Sequence, residues 1–324
     1  MKKIFAIIAG EPNSINSEII AKSWKKDKKV FKNKFFIIGS HNLFKKQLNK
    51  IGIKIPLERI KSLDDLKSNN QLKILDIPLK FNHPFKINNT VKSNYIFKCF
   101  DIAHNLALTK KISGFINAPV NKRIFKNKFL GVTEYLAYKN KLRNKYSEVM
   151  CIYNKKFSVV PITTHIDINK VATKIKSSLI ERKVIVINSF FLRKLKRKPK
   201  IAILGLNPHN SENKSNSIES LIIKPAIKKL MKKKIDISGP YAADTIFTIN
   251  KNYRFDVIIG MYHDQVLGPF KALFGFDAIN ITLGLKYLRI SPDHGTAENL
   301  IKLNKSNPLS LINSIKFLKE FKND

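Results

Sequence analysis

Three of the seven histidines stand a few residues beyond short apolar, β-branched runs. Residues 157–163 lead to His165, 201–205 to His209 and 257–260 to His263. Neutral imidazole is a common ligand for divalent transition metals. Three nitrogen donors with a position left open make a catalytic site rather than a structural one. A cation held by His165, His209 and His263 would act as a Lewis acid on a bound alcohol. Positive and amide side chains follow closely. Lys271 and Arg289 would neutralise a phosphate or carboxylate, the arginine by paired hydrogen bonds and the lysine as a point charge. Asn280 would donate to the same anion. Asp244 stands where a loop enters a helix, as a proton acceptor or an N-cap. Asp293, His294 and Gly295 are placed at the start of the last main helix, as a cap or as part of a cofactor's phosphate site.

Such groups need a scaffold that aligns them. Strand candidates are 4–9, 35–39, 114–118, 149–153, 157–163, 201–205, 257–260 and 278–282. Amphipathic stretches alternate with them at 17–25, 43–51, 94–109, 168–192, 218–233 and 296–303. The alternation predicts an α/β protein with a largely parallel sheet. The C-terminal ends of parallel strands share one edge, where such folds bind ligands. Residues 56–89 are the least regular and read as loops with short strands. No linker interrupts the chain, so two lobes are expected, 1–125 together with 296–324 and 126–295. There is no G-x-G-x-x-G after a strand and no Walker A sequence, which removes the usual dinucleotide and P-loop sites.

The 324 residues, 44% of them hydrophobic, suffice for such a unit. No apolar run is long enough for a transmembrane helix. The N-terminal apolar run is short and flows into Glu11-Pro12, so it reads as a first buried strand rather than a signal peptide. Cys99 and Cys151 are far apart, which fits a reducing cytoplasm. The formal charge is +38, from 61 basic and 23 acidic residues. Steering of an anionic substrate is one reading. A basic nucleic-acid-binding protein is a more distant alternative. The lysines are spread over the whole length and no nucleic-acid motif accompanies them, which favours a general Lys, Asn and Ile bias.

Several blocks carry a family resemblance: Gly10-Glu11-Pro12, Asn117-Ala118-Pro119-Val120-Asn121-Lys122, Thr133-Glu134-Tyr135-Leu136-Ala137, Thr163-Thr164-His165 and Gly205-Leu206-Asn207-Pro208-His209. Gly239-Pro240, Ala243-Asp244-Thr245, Tyr262-His263-Asp264-Gln265, Asn280–Leu285 (numbers 280–285) and Asp293-His294-Gly295-Thr296-Ala297 continue the series. In this order they resemble the 4-hydroxythreonine-4-phosphate dehydrogenases of vitamin B6 biosynthesis. The resemblance implies an isocitrate/isopropylmalate-dehydrogenase-like fold. Two lobes would share a mostly parallel mixed sheet with helices on both faces and a cleft between them. It implies a homodimer with a shared active site, NAD or NADP as oxidant, and one divalent metal ion per site (Zn, Mg, Mn or Co). The substrate would be 4-phosphooxy-L-threonine, oxidised at its C3 hydroxyl, with loss of carbon dioxide to give 3-amino-2-oxopropyl phosphate. By motif, His165, His209 and His263 match metal ligands, with His263 expected across the dimer. Asp244, Lys271, Asn280, Arg289 and Thr133 match substrate-contacting positions, Asp244 and Lys271 being the catalytic candidates. The chain departs from the family pattern at Val132, where a histidine is usual, at Asn13–Ser17 (numbers 13–17), at Asn210-Ser211 and at Val266. Val132 motivates the alternative of a same-fold dehydrogenase for a different phosphorylated hydroxy acid.

Overall fold

The computed structural model describes residues 3–66, 69–126, 128–141, 148–252 and 254–320. Its strands are β1 (Phe5–Ile8), β2 (Phe35–Gly39), β3 (Leu57–Ile60), β4 (Leu72–Asp76), β5 (Gly114–Asn117), β6 (Val149–Tyr153), β7 (Ser158–Pro161), β8 (Ile201–Leu204), β9 (Ile237–Tyr241), β10 (Val257–Gly260), β11 (Ile279–Leu283) and β12 (Leu288–Pro292). The helices are α1 (Asn16–Lys26), α2 (Lys28–Lys34), α3 (His41–Lys50), α4 (Asn89–Leu108), α5 (Val132–Lys139), α6 (Val171–Lys174), α7 (Ser177–Lys194), α8 (Lys224–Lys232), α9 (Ile246–Ile249), α10 (His263–Phe274) and α11 (Leu309–Glu320).

The chain forms two compact units, Met1–Phe129 with Lys286–Phe321, and Leu130–Leu285. The return to the first unit therefore falls at 285/286 rather than at the expected 295/296. Arg289, Asp293, His294 and Gly295 belong to the first unit. In that unit the strands run β3-β4-β2-β1-β5-β12 and pair in parallel. β1, β2 and β5 are buried at every position. Uninterrupted apolar runs of this kind are what parallel strands covered on both faces require. α4 packs on β1 and β2, and α11 on β5 and β12. The irregular 56–89 stretch supplies β3 and β4 at the sheet's edge.

In the second unit the order is β11-β6-β7-β10-β8-β9. β7, β10, β8 and β9 are parallel, whereas β6 is antiparallel to both β11 and β7. The sheet is thus mixed and mostly parallel. A core of Ile152, Phe157, Val159, Leu204, Ile258, Val266, Leu267 and Phe270 fixes α10 against it. Phe157 lies edge-on to Phe270 and Phe274, with ring centroids 5.5 and 5.2 Å away.

Two expected helices differ. The helix predicted over 168–192 is a 3-10 turn and short α6, then α7. Between them Ile175 and Lys176 are extended, which buries Ile175. The helix predicted over 296–303 is only a 3-10 turn, Glu298–Leu300. None of its residues is buried, so no apolar face rewards helix formation. Ala297 and Lys302 instead take left-handed backbone.

Candidate active site

The three histidine-bearing turns close adjacent strands. β10 lies between β7 and β8, parallel to both, so His165, His209 and His263 leave the same edge of the second unit's sheet. His165 and His209 have φ of 52° and 48°. The left-handed region is uncommon for non-glycine residues, histidine being among the tolerant types, and residues held there cluster at functional sites. His263 opens α10. Its Nδ1 is 2.7 Å from Asp264 Oδ1, which leaves Nε2 as the nitrogen available to a ligand. A carboxylate behind an imidazole is the usual way a metal-binding histidine is oriented.

The rings of His165 and His263 are 5.5 Å apart, centroid to centroid. With metal–nitrogen bonds of about 2 Å, the ring centroids of two imidazoles on one tetrahedral ion stand about 5 Å apart, close to the separation of this pair. Among the described residues no three His, Cys, Asp or Glu side chains of one chain form a ligand group. A single chain therefore brings two of the three rings together, His165 and His263, without a third ligand among the described residues. The pair also joins His263 to His165 of its own chain, whereas the resemblance places His263 across the dimer.

The turns are cross-braced. Thr163 donates its backbone N–H (3.1 Å) and its Oγ1 hydroxyl (2.8 Å) to the Met261 carbonyl. Gln265, nearly buried in α10, accepts from the Met261 N–H at 2.6 Å and donates Nε2 to the Gly205 carbonyl at 2.8 Å. One amide thus ties the end of β10 to the end of β8. Glu219 carries the brace on into the His209 loop, accepting from the Leu206 and Asn207 N–H groups. Burial pushes the Glu219 carboxyl up, but hydrogen bonds from the Asn207 N–H, from its own backbone N–H and from the Asn207 and Ser211 side chains outweigh it and lower its pKa.

Substrate candidates fall into local sets. Thr133, in the first turn of α5, has its hydroxyl 3.3 Å from that of Thr282 on β11. Asn280 lies two residues earlier on β11 and so on the same face. Its Oδ1 is buried without a hydrogen-bond partner, as expected of a group that meets a ligand. Lys271 is exposed, about 12 Å along α10 from His263. Asp244 is exposed in the turn before α9. The N-cap of that helix is Thr245, so the capping role considered for Asp244 does not hold.

In the first unit, Arg289 on β12 is 3% exposed and donates Nε to Asn117 Oδ1 at 2.6 Å. Glu11 is paired with Lys92 at 3.0 Å, both side chains buried, and accepts from the Asn121 N–H. This ties the Gly10-Glu11-Pro12 block to the Asn117–Lys122 block (numbers 117–122). A Cβ at Gly10, where φ is +75°, would meet the Ala118 and Pro119 carbonyls at 2.7 Å, so only glycine fits. Asp293, His294 and Gly295 do not open a helix. Asp293 is 8% exposed and donates its N–H to Ser310 Oγ, while His294 Nδ1 is 2.9 Å from the Gly295 carbonyl. The last main helix, α11, starts only at Leu309. These residues therefore offer no helix-dipole site for a cofactor phosphate.

The family model described as pyridoxal phosphate biosynthetic protein PdxA matches residues 31–318. The chain belongs to the PdxA family. It is 37% identical over 318 residues to 4-hydroxythreonine-4-phosphate dehydrogenase of Sulfurihydrogenibium sp., covering 96% of this chain and 95% of that one. It is 30% identical to D-threonate 4-phosphate dehydrogenase of Pectobacterium atrosepticum, covering 97% and 98%. The crystal structure of 4-hydroxythreonine-4-phosphate dehydrogenase from Klebsiella pneumoniae superposes with a TM-score of 0.84 at 28% identity, covering 98% of both chains. A β-decarboxylating dehydrogenase from Thermococcus kodakarensis shares the fold alone, with a TM-score of 0.52 at 10% identity and coverage of 98% and 84%.

The departures from the PdxA pattern take physical form here. Ser211, where glycine is usual, has φ of 52° within a run of left-handed residues from His209 to Glu212. Left-handed backbone costs about 1–2 kcal/mol per non-glycine residue, so the loop needs outside support. Val266 is different: it lies inside α10 and fills the space over Gly260, where a Cβ would come within 2.6 Å of it. That lost glycine enlarges the core rather than straining a turn. Val132 is the first residue of α5, and its isopropyl group offers no hydrogen bond there. Gln265 and Asn117 stood within quoted motif blocks but were given no role of their own, and Glu219 was not singled out by sequence. Gln265 was marked by its place directly after His263-Asp264 and Asn117 by opening the 117–122 block, whereas nothing local marked Glu219.

Proposed function

We propose that the protein is a metal-dependent NAD(P) dehydrogenase that oxidises 4-phosphooxy-L-threonine at C3 in pyridoxal phosphate biosynthesis. The product, 2-amino-3-oxo-4-phosphooxybutanoate, loses carbon dioxide to give 3-amino-2-oxopropyl phosphate. One observation carries this reading: His165, His209 and His263 close three adjacent parallel strands in a PdxA-family chain. His165, His209 and His263 would hold one divalent cation (Zn, Mg, Mn or Co), with a homodimer completing a donor set that one chain leaves at a pair. When bound, the cation would lower the pKa of the C3 hydroxyl, and the nicotinamide would supply the hydride acceptor.

The chain's own groups do the rest. The buried, unpartnered Oδ1 of Asn280 accepts from a substrate N–H or O–H, and Thr133 with Thr282 lines the same face. Lys271 brings an ammonium to an anionic substrate group and a proton source for the enolate left by decarboxylation. Asp244, exposed and outside any cap, takes the hydroxyl proton. Arg289, held by Asn117, is the anion-binding candidate of the first unit.

A second reading rests on Val132. D-threonate 4-phosphate carries a hydroxyl at C2 where phosphohydroxythreonine carries an ammonium. A PdxA-family chain without the usual histidine is a candidate for that exchange. Steady-state assays of NADH or NADPH formation with both substrates, with and without added divalent cation, separate the readings. Cation-dependent turnover of phosphohydroxythreonine at the higher kcat/KM is expected. Turnover of D-threonate 4-phosphate alone would replace the first reading with the second, and turnover undiminished by chelator would remove the cation.

A further inference from the structure

We propose that Glu219 is a positioning residue for His209: its carboxylate is the template on which loop 206–211 folds. The inference rests on the reading of His209 as a cation ligand. Glu219 is fully buried at the head of a π-helical turn, Glu219–Ile223, that runs into α8. Its Oε1 accepts from the backbone N–H groups of Leu206 and Asn207, both at 2.8 Å, and from Asn207 Nδ2 at 3.2 Å. Its Oε2 accepts from Asn207 Nδ2 at 3.2 Å and from Ser211 Oγ at 3.0 Å. The donors flank Pro208-His209 on both sides, so one carboxylate holds both ends of the segment that carries the imidazole.

The segment needs such a hold. His209, Asn210, Ser211 and Glu212 have φ between 48° and 56°, a conformation persisting only where surroundings over-determine it. Asn210 adds a weaker tie, donating Nδ2 to the Pro240 carbonyl at 3.1 Å. The acid is required rather than its amide. A glutamine has one acceptor oxygen, and although the Ser211 hydroxyl can turn to accept from its NH₂, the Asn207 Nδ2 donor, shared between both carboxylate oxygens, cannot. Glu219 reaches no reacting group itself. It acts through the loop, as the outer partners of metal ligands do, where loss typically costs 10–100-fold in metal affinity.

The test uses the full chain, with Co²⁺ titrated calorimetrically into wild type, Glu219→Gln and Ser211→Ala. Circular dichroism melts and steady-state kinetics at saturating Co²⁺ accompany it. Glu219→Gln is expected to weaken Co²⁺ binding about 10–100-fold while KM for the phosphorylated substrate stays within about twofold, and Ser211→Ala is expected to weaken it less. A purely structural role would lower the melting temperature and leave Co²⁺ affinity, measured well below it, unchanged. That result would overturn the proposal. Should Glu219→Gln not fold, Ser211→Ala decides by the same criterion. Wild type that takes up no Co²⁺ would instead remove His209 as a ligand, and the positioning role with it.

Discussion

Lys183 makes the stability of this protein depend on pH in an unusual direction. It lies in α7, 6% exposed, near Glu148 just before β6 and Glu134 in α5. Burial lowers its ammonium pKa from 10.5 to about 8, although Glu148 and Glu134 both pull it up. The native chain thus releases this proton near pH 8, whereas the unfolded chain keeps it to about 10.5. Between those values the unfolded state binds more protons, so stability rises with pH. From pH 7 to 9.5 the shift amounts to about 1.4 effective pH units, or about 2 kcal/mol at 1.36 kcal/mol per unit. Cys99 and Cys151 act oppositely. Burial raises both thiols to about 12, so above pH 9 the unfolded chain ionises first and stability declines. Comparison with Lys183→Met cancels that contribution and the general effect of the +38 charge. Urea unfolding of both proteins at pH 7, 8, 9 and 9.5 is the assay. Wild type should gain about 2 kcal/mol on the variant across the range. Parallel curves for the two proteins would refute the reasoning, because Lys183 would then be titrating as it does in the unfolded chain.

Two further outcomes are expected. Lys92→Met leaves the buried Glu11 carboxylate with the Asn121 N–H as its remaining partner and should cost about 3–5 kcal/mol in urea unfolding. Adding Glu11→Gln should recover most of that, and a double variant no better than the single would show that the pair is not the source. Lys271→Ala removes the charge-assisted contact proposed for it, worth about 1.5–3 kcal/mol, so KM for the phosphorylated substrate should rise roughly 10–100-fold. KM for NAD should change little in the same initial-rate matrix, and the reverse pattern would move Lys271 to the cofactor.

Periodicity and residue type gave the α/β class, because buried parallel strands have to be continuous apolar runs. β2, β6 and β10 fall on their expected ranges to the residue. β9 was not legible, since Ser238-Gly239-Pro240 breaks its apolar run. β3 lay within the stretch read as loops with short strands but could not be delimited, because Glu58 and Arg59 interrupt it at a sheet edge, where one side need not be apolar. α10 begins on His263, with its apolar face written as Val266, Leu267 and Phe270, and Pro269 concealed it. The helix expected at 296–303 failed for the opposite reason: its pattern is helical, but nothing buries its apolar face.

The sequence by itself determined which side chains could carry chemistry and that His165, His209 and His263 would leave one sheet edge. Strand ends and residue types are local properties, and parallel pairing follows from the alternation of elements. Which rings meet was decided only by tertiary structure: His165 and His263 lie 5.5 Å apart, and among the described residues no group of three His, Cys, Asp or Glu side chains forms around them. The supports were decided there as well. Gln265 finds the Gly205 carbonyl 60 positions away, and Asn117 finds Arg289 across 172. A buried carbonyl or guanidinium has to be satisfied by whatever the fold brings to it, and that partner is fixed by packing rather than by neighbours in the chain.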